Sequence, residues 1–219
     1  MIPTPDISHL TAKDYDSIYE PAEDTFLLLD ALEAEEQALK DSKPSICLEV
    51  GSGSGCVSTF LTKIVHPAVY ICTDINPRAC VATRSTGRQN KIELDVCNAS
   101  FALPFRQRLK NSIDVIVFNP PYVPTSFEEA QFAQDNQHLE GAWAGGLDGM
   151  HVTNTFLSDV KDLLSDKGRF YLAALKQNNV SEIQTRMLEE HGLRSKVVLE
   201  RRAGREYLYI LCFQHSKAL

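Results

Sequence analysis

The sequence predicts one doubly wound α/β domain, with a mostly parallel sheet of seven strands, helices on both faces and a C-terminal antiparallel hairpin. Three observations predict it. Short apolar runs alternate with amphipathic stretches from residue 46 onward, the pattern of right-handed strand–helix–strand units. A glycine-rich turn follows the first run directly. Near the C-terminus, two strand-like runs flank Ala203-Gly204 with no helical stretch between them, as in a hairpin.

In chain order, residues 1–18 read as an irregular arm. Glu23 to Leu39 reads as an amphipathic helix, with Phe26, Leu27, Leu29, Ala31 and Leu32 set among acidic residues. Lys43-Pro44 ends it, because proline cannot continue the hydrogen-bond ladder. Ile46 to Val50 is the first strand, and the helix after its glycine turn runs through Ile64. Val69 to Thr73 is the second strand, followed by a helix from Asn76 to Asn90. Ile92 to Cys97 is a weaker third strand. Ile113 to Phe118 is strongly apolar and is expected to be buried on both faces. A long polar loop precedes a helix from Met150 to Leu164 and a strand at Phe170 to Leu175. A helix from Ser181 to Glu190 stops at Gly192. Lys196 to Arg201 and Glu206 to Phe213 form the hairpin, which inserts one antiparallel strand.

With 219 residues, 43% of them hydrophobic and 23% charged, the chain suits one large soluble domain. Lys and Arg number 22 against 29 Asp and Glu, a net charge of −7 that fits unaided nucleic-acid binding poorly. Arg201, Arg202 and Arg205 form a local basic group. Cys47, Cys56, Cys72, Cys80, Cys97 and Cys212 include no Cys-x-x-Cys pair and mostly sit in apolar runs, so buried reduced thiols are expected and no metal site. The start, Met1 to Asp6, lacks the basic and apolar regions of a secretory signal, and no apolar run approaches a membrane span. The expectation is a reducing intracellular compartment: the cytoplasm, with the nucleus as the alternative.

Ligands of such sheets bind at the carboxyl ends of the strands, and the motifs fall there. Glu49-Val50-Gly51-Ser52-Gly53-Ser54-Gly55 closes the first strand and opens a helix, and Asp74 ends the second strand. A carboxylate at the position of Asp74 can accept both hydroxyl hydrogens of a ribose. The spacing Gly51-x-Gly53-x-Gly55 differs from that of dinucleotide enzymes, and no Gly-Lys-Ser/Thr of a P-loop is present. An acidic Glu49 before the glycines would repel a pyrophosphate but suits a cation. S-adenosylmethionine, with its ammonium and sulfonium, is such a ligand. The plainer reading is a solvated strand-end carboxylate and a helix cap.

Asn119-Pro120-Pro121-Tyr122 follows the fourth strand. Successive prolines fix the backbone and offer carbonyls without competing N–H groups. The Asn119 side-chain oxygen and the Pro120 carbonyl can each accept one hydrogen of a planar NH₂ group, and the Tyr122 ring can stack on it. An amide or exocyclic amine is a poor nucleophile because its lone pair is delocalised. Holding both N–H bonds turns that lone pair toward an electrophile without a strong base. The competing reading is a proline-rich loop with no chemistry.

The sequence resembles the HemK-type class I methyltransferases, in their eukaryotic branch that methylates a glutamine of the class I translation termination factor. The resemblance is carried by Tyr19-Glu20-Pro21-Ala22-Glu23-Asp24-Thr25-Phe26, Leu48 to Gly55, Asn119 to Val123 and Ala142-Trp143-Ala144-Gly145-Gly146-Leu147-Asp148-Gly149. It implies a Rossmann-like class I methyltransferase domain over residues 41–219, preceded by an arm and helix over 1–40 that forms part of a cofactor lid. It implies S-adenosylmethionine contacts at Thr25, Glu49, Gly51, Gly53, Asp74 and Asn119, and substrate held across Asn119, Pro120, Pro121, Tyr122 and Val123. Asn119, Pro120 and Tyr122 would carry the catalysis, with Trp143 in the substrate-side loop. One position departs from the family: its usual acidic residue at the end of the third strand is Ser100, so adenine would rely on a weaker hydroxyl and on the backbone near Phe101. The resemblance also implies a small zinc-binding activator protein as a heterodimer partner, covering apolar surface near the third strand.

Four other activities compete with glutamine methylation. Some family members methylate histone lysine. Adenine-N6 enzymes share the Asn-Pro-Pro-Tyr tetrad, but the acidic charge and the lack of a target-recognition insertion count against nucleic acid. An inert cofactor scaffold fits poorly with an intact tetrad. For an NAD-dependent oxidoreductase, no proton-transfer His or Tyr-Lys pair accompanies the glycines.

Overall fold

A computed structural model describes residues 1–122 and 149–216. Val123, Trp143 and the rest of residues 123–148 lie outside the described residues. Seven strands form one sheet in the order β3-β2-β1-β4-β5-β7-β6. They are β1 (Ile46–Val50), β2 (Val69–Asp74), β3 (Asp95–Asn98), β4 (Ile113–Phe118), β5 (Leu164–Leu175), β6 (Leu193–Ala203) and β7 (Glu206–His215). β1 through β5 pair in parallel, and β7 runs antiparallel to both β5 and β6.

The helices are α1 (Ala12–Tyr15), α2 (Glu23–Ala34), α3 (Glu36–Ser42), α4 (Cys56–Ile64), α5 (Pro77–Gln89), α6 (His151–Leu163) and α7 (Val180–His191). The expected arm thus contains one helical turn, and the expected helix from Glu23 to Leu39 is two. Glu35 interrupts it, and its carboxylate binds Arg169 of β5 at 3.3 Å and Lys196 of β6 at 2.8 Å. That anchorage draws the chain onto the sheet and starts a new helix. Lys43 then takes a left-handed φ of 48° ahead of Pro44.

Alternation along β4 explains why its sequence is apolar throughout. Val115 and Val117 join the core with Leu28, Leu32 and Phe60, from α2 and α4. Ile116 and Phe118 point the other way, into a core with Phe156 and Leu163 of α6 and Met187 of α7. The leucines of α2 are almost fully buried, so this helix belongs to the main core.

Three strands extend beyond their expected limits. β5 begins at Leu164 because Ile113 pairs with Leu164 while Val115 pairs with Arg169, leaving an irregular segment between. Turn-like residues 165–168 hide that stretch in the sequence. β6 and β7 each gain residues by pairing along ten positions, through a register shift between Val197 and Leu199. β3 is shorter than expected, pairs only with β2 and forms an edge of the sheet. None of the six cysteines is in a disulfide, and all but Cys97 are buried. Among the described residues, no helix is long and apolar enough to cross a membrane.

Candidate functional site

Strand order reverses between β1 and β4, and a cleft opens over the carboxyl ends of the strands there. The glycine loop after β1, the end of β2 and the residues following β3 and β4 form its walls. The arm adds Ser17, Ile18 and Tyr19.

The glycine loop is pinned rather than slack. Gly51 N and Ser52 N donate to Thr73 O at 2.8 and 3.1 Å, and Gly53 N donates to Asp74 Oδ2 at 2.9 Å. Gly55 has φ +77°, and a Cβ there would lie 2.7 Å from Thr83 Cα of α5, so only glycine permits this approach of loop and helix.

Two carboxylates face the cleft. Glu49 is the penultimate residue of β1, 6% exposed, and its Oε2 accepts from Ser58 N at 2.8 Å and from Ser58 Oγ. Burial pushes its pKa up to about 8 against those two hydrogen bonds, with the neighbouring Asp74 charge adding to the rise. Asp74 accepts from Gly53 N and, at 2.9 Å, from Asn76 N. Burial raises its pKa too, and the same two N–H groups oppose the rise. Once ionised, two carboxylates placed this way attract a cation and repel an anion.

At the other end, the tetrad is fixed by a residue 95 positions away. Asn119 Nδ2 donates to Asp24 Oδ2 at 2.8 Å, and Tyr122 Oη donates to the same oxygen at 2.6 Å. Asn119 Oδ1 is buried and finds no hydrogen-bond partner among the described residues. A buried, unpaired acceptor is costly, and at a cleft wall it marks a place for a ligand's donor. Behind the tetrad, Asn178 Nδ2 donates to Tyr122 O at 3.1 Å. Gly149 packs there so closely that a Cβ would meet Tyr122 O at 2.1 Å.

The structure brings Glu49, Gly51, Gly53, Asp74, Ser100, Phe101, Asn119 and Pro121 to one cleft. Thr25, Pro120 and Tyr122 are buried and do not line it. Thr25 instead donates its N–H to Asp24 at 2.7 Å. β3 ends at Asn98, whose side chain holds the carbonyls of Asp74 and Ile75 at 2.9 Å, while Ser100 lies two residues on, at the wall. Sequence reasoning missed Asp24 as a partner of the tetrad, and missed Ser17 to Tyr19 and Asn178. The sequence places Asp24 only within the arm and helix expected to form part of a cofactor lid. The N-cap of that helix is Ala22, with no side-chain cap bond.

The methyltransferase small domain family matches residues 22–138. A human protein named Methyltransferase HEMK2 is 44% identical over 97% of both chains. The eRF1 methyltransferase catalytic subunit mtq2 of Schizosaccharomyces pombe is 40% identical over 96% of this chain and 95% of its own. The chain belongs to the HEMK2/Mtq2 family of methyltransferases. A solved member of this methyltransferase family is the E. cuniculi Mtq2-Trm112 complex, described as responsible for methylation of the eRF1 translation termination factor. It is 29% identical, covers 91% of this chain and 99% of its own, and superposes with a TM-score of 0.68. The chain is thus an enzyme of the HemK-like methyltransferases, and its seven-stranded sheet is theirs.

Proposed function

We propose that this methyltransferase uses S-adenosylmethionine to methylate the side-chain amide of a glutamine, that of the Gly-Gly-Gln motif in the class I translation termination factor. One observation carries the reading: Asn119 is clamped through its nitrogen, so that its unpaired oxygen is the group left to accept from a substrate NH₂. The names of the S. pombe and E. cuniculi relatives support the substrate.

The donor set fits the cofactor. Glu49 suits its ammonium, Asp74 its ribose hydroxyls, and Ser100 with the Phe101 backbone its adenine. Bound S-adenosylmethionine supplies an electrophilic sulfonium methyl group. The protein's part is to orient. Asn119 Oδ1 accepts from the substrate amide nitrogen, which turns the nitrogen lone pair toward the cofactor end of the cleft. Burial and the Asp24 charge both raise the Tyr122 pKa, so its hydroxyl keeps its proton and cannot serve as a base. A partner of the Trm112 kind, a small zinc-binding protein, would pair with the β3 edge, which is bonded on one side only.

Transfer of tritiated methyl to the termination factor, histone H4 and DNA, measured in parallel on the co-expressed complex, tests the substrate. The termination factor should be labelled fastest. Dominant labelling of histone would move the assignment to lysine, and labelling of DNA alone would overturn it.

A further inference from the structure

Asp24 is the second residue of α2, 4% exposed, and stands between the arm and the tetrad. Its two oxygens divide the work. Oδ2 takes Asn119 Nδ2 at 2.8 Å and Tyr122 Oη at 2.6 Å, both from the tetrad. Oδ1 takes Thr25 N at 2.7 Å, Tyr19 Oη at 3.1 Å and Thr25 Oγ1 at 3.4 Å, all from the N-terminal segment. Five donors around one buried carboxylate compensate its desolvation and leave little freedom to either side. Tyr19 itself lines the cleft, so the same carboxylate reaches both walls.

A carboxylate only accepts hydrogen bonds, and that decides the sense of the Asn119 amide. Its nitrogen must face Asp24, and its oxygen must face away, where it has no partner among the described residues. A neutral amide in place of Asp24 would remove this restriction. It could accept from Asn119 or donate to it, and the donating form would turn the Asn119 nitrogen outward, presenting a donor where the substrate N–H needs an acceptor.

We infer that Asp24 is a positioning residue that fixes Asn119 as an acceptor and ties the arm over the cleft to the substrate grip. This rests on the reading of Asn119 Oδ1 as the acceptor of the substrate NH₂. Asp24 touches neither reactant. Its effect therefore falls on turnover, with cofactor affinity and fold largely spared.

The test uses the full chain co-expressed with a Trm112-type partner, in three variants: Asp24→Asn, Asn119→Asp and the exchange Asp24→Asn/Asn119→Asp. For Asp24→Asn, we expect a kcat about 100-fold lower toward the termination factor, with KM and S-adenosylmethionine Kd within about threefold. The exchange again pairs one carboxylate with one amide and leaves an oxygen of the carboxylate at position 119 toward the substrate, so it should recover about tenfold or more over Asp24→Asn. Its rate should also fall at low pH, as the new carboxylate at position 119 takes up a proton.

A second readout needs no substrate. In ¹⁵N-asparagine-labelled protein, the side-chain NH₂ of Asn119, assigned by its loss in Asn119→Asp, should exchange slowly in the wild type and fast in Asp24→Asn. Wild-type kcat in Asp24→Asn would overturn the inference. So would an exchange variant that folds, binds cofactor and gains nothing, or an unprotected Asn119 amide in the wild type. A protected amide in an enzyme that never labels the termination factor would instead contradict the functional reading and leave Asp24 as the clamp of Asn119.

Discussion

On the proposed reading of the site, raising the pH should tighten S-adenosylmethionine binding, because Glu49 would have to be charged to meet the cofactor's ammonium. With a pKa of about 8, Glu49 is about 1% ionised at pH 6, about 10% at pH 7 and half ionised at pH 8. Affinity should therefore rise about tenfold from pH 6 to pH 7 and about two- to threefold more by pH 8. Above that it should fall, since α-amino groups themselves lose a proton near pH 8. Each binding event below pH 8 should release close to one proton. Calorimetric titration at these pH values, in two buffers of different ionisation enthalpy, reads both quantities. Glu49→Gln should flatten the pH dependence and weaken binding at pH 8. The same burial acts on folding. The Glu49 pKa is raised from 4.5 in the folded chain, so its contribution to stability is full below about pH 4.5 and is lost as the pH rises toward 8. The loss reaches about 3 kcal/mol by pH 7, and Glu49→Gln should accordingly melt higher than the wild type at pH 8. An affinity independent of pH between 6 and 8, with no proton release, would refute the role of Glu49.

Asn119→Ala should lower methyl transfer by about 100-fold or more while calorimetry finds cofactor binding largely intact; full activity would sink the proposed mechanism. Gly149→Ala drives a Cβ against Tyr122 O and Asn178 Nδ2 at φ +71°, so the variant should lose stability by about 2–3 kcal/mol in denaturant melts and lose turnover by more than it loses cofactor affinity. Ser100→Asp should bind S-adenosylmethionine a few-fold more tightly, because a carboxylate at that wall accepts from an amino group more strongly than a hydroxyl does. An unchanged Kd would place the adenine contact elsewhere.

The local features of this enzyme were legible in its sequence. The apolar run of β4, the glycine turn after β1 and the carboxylate at the end of β2 each sit where strand–helix alternation puts them. The tetrad could be read because prolines fix a backbone without outside help. Long-range convergence could not be read. Asp24 and Asn119 meet only after the sheet has formed, and nothing in the spacing of 95 residues announces it. Ser17 to Tyr19 looked irregular because the arm is held from elsewhere. Asn76 Nδ2 of the α5 cap donates to Ser17 O at 2.7 Å, and Asp6 is tied to Asn90 and Gln89 at the far end of α5. The break at Glu35 was hidden for the same reason, since its cause lies on β5 and β6.

On the proposed function, Asn119 and its neighbours hold a glutamine amide for methylation. Mass-spectrometric mapping of the methyl group on termination factor treated with the co-expressed complex tests this. A single methyl group is expected on the side-chain nitrogen of the glutamine in Gly-Gly-Gln, absent when Asn119→Ala replaces the wild type. Methylation only at a lysine, or undiminished glutamine methylation by Asn119→Ala, would contradict it.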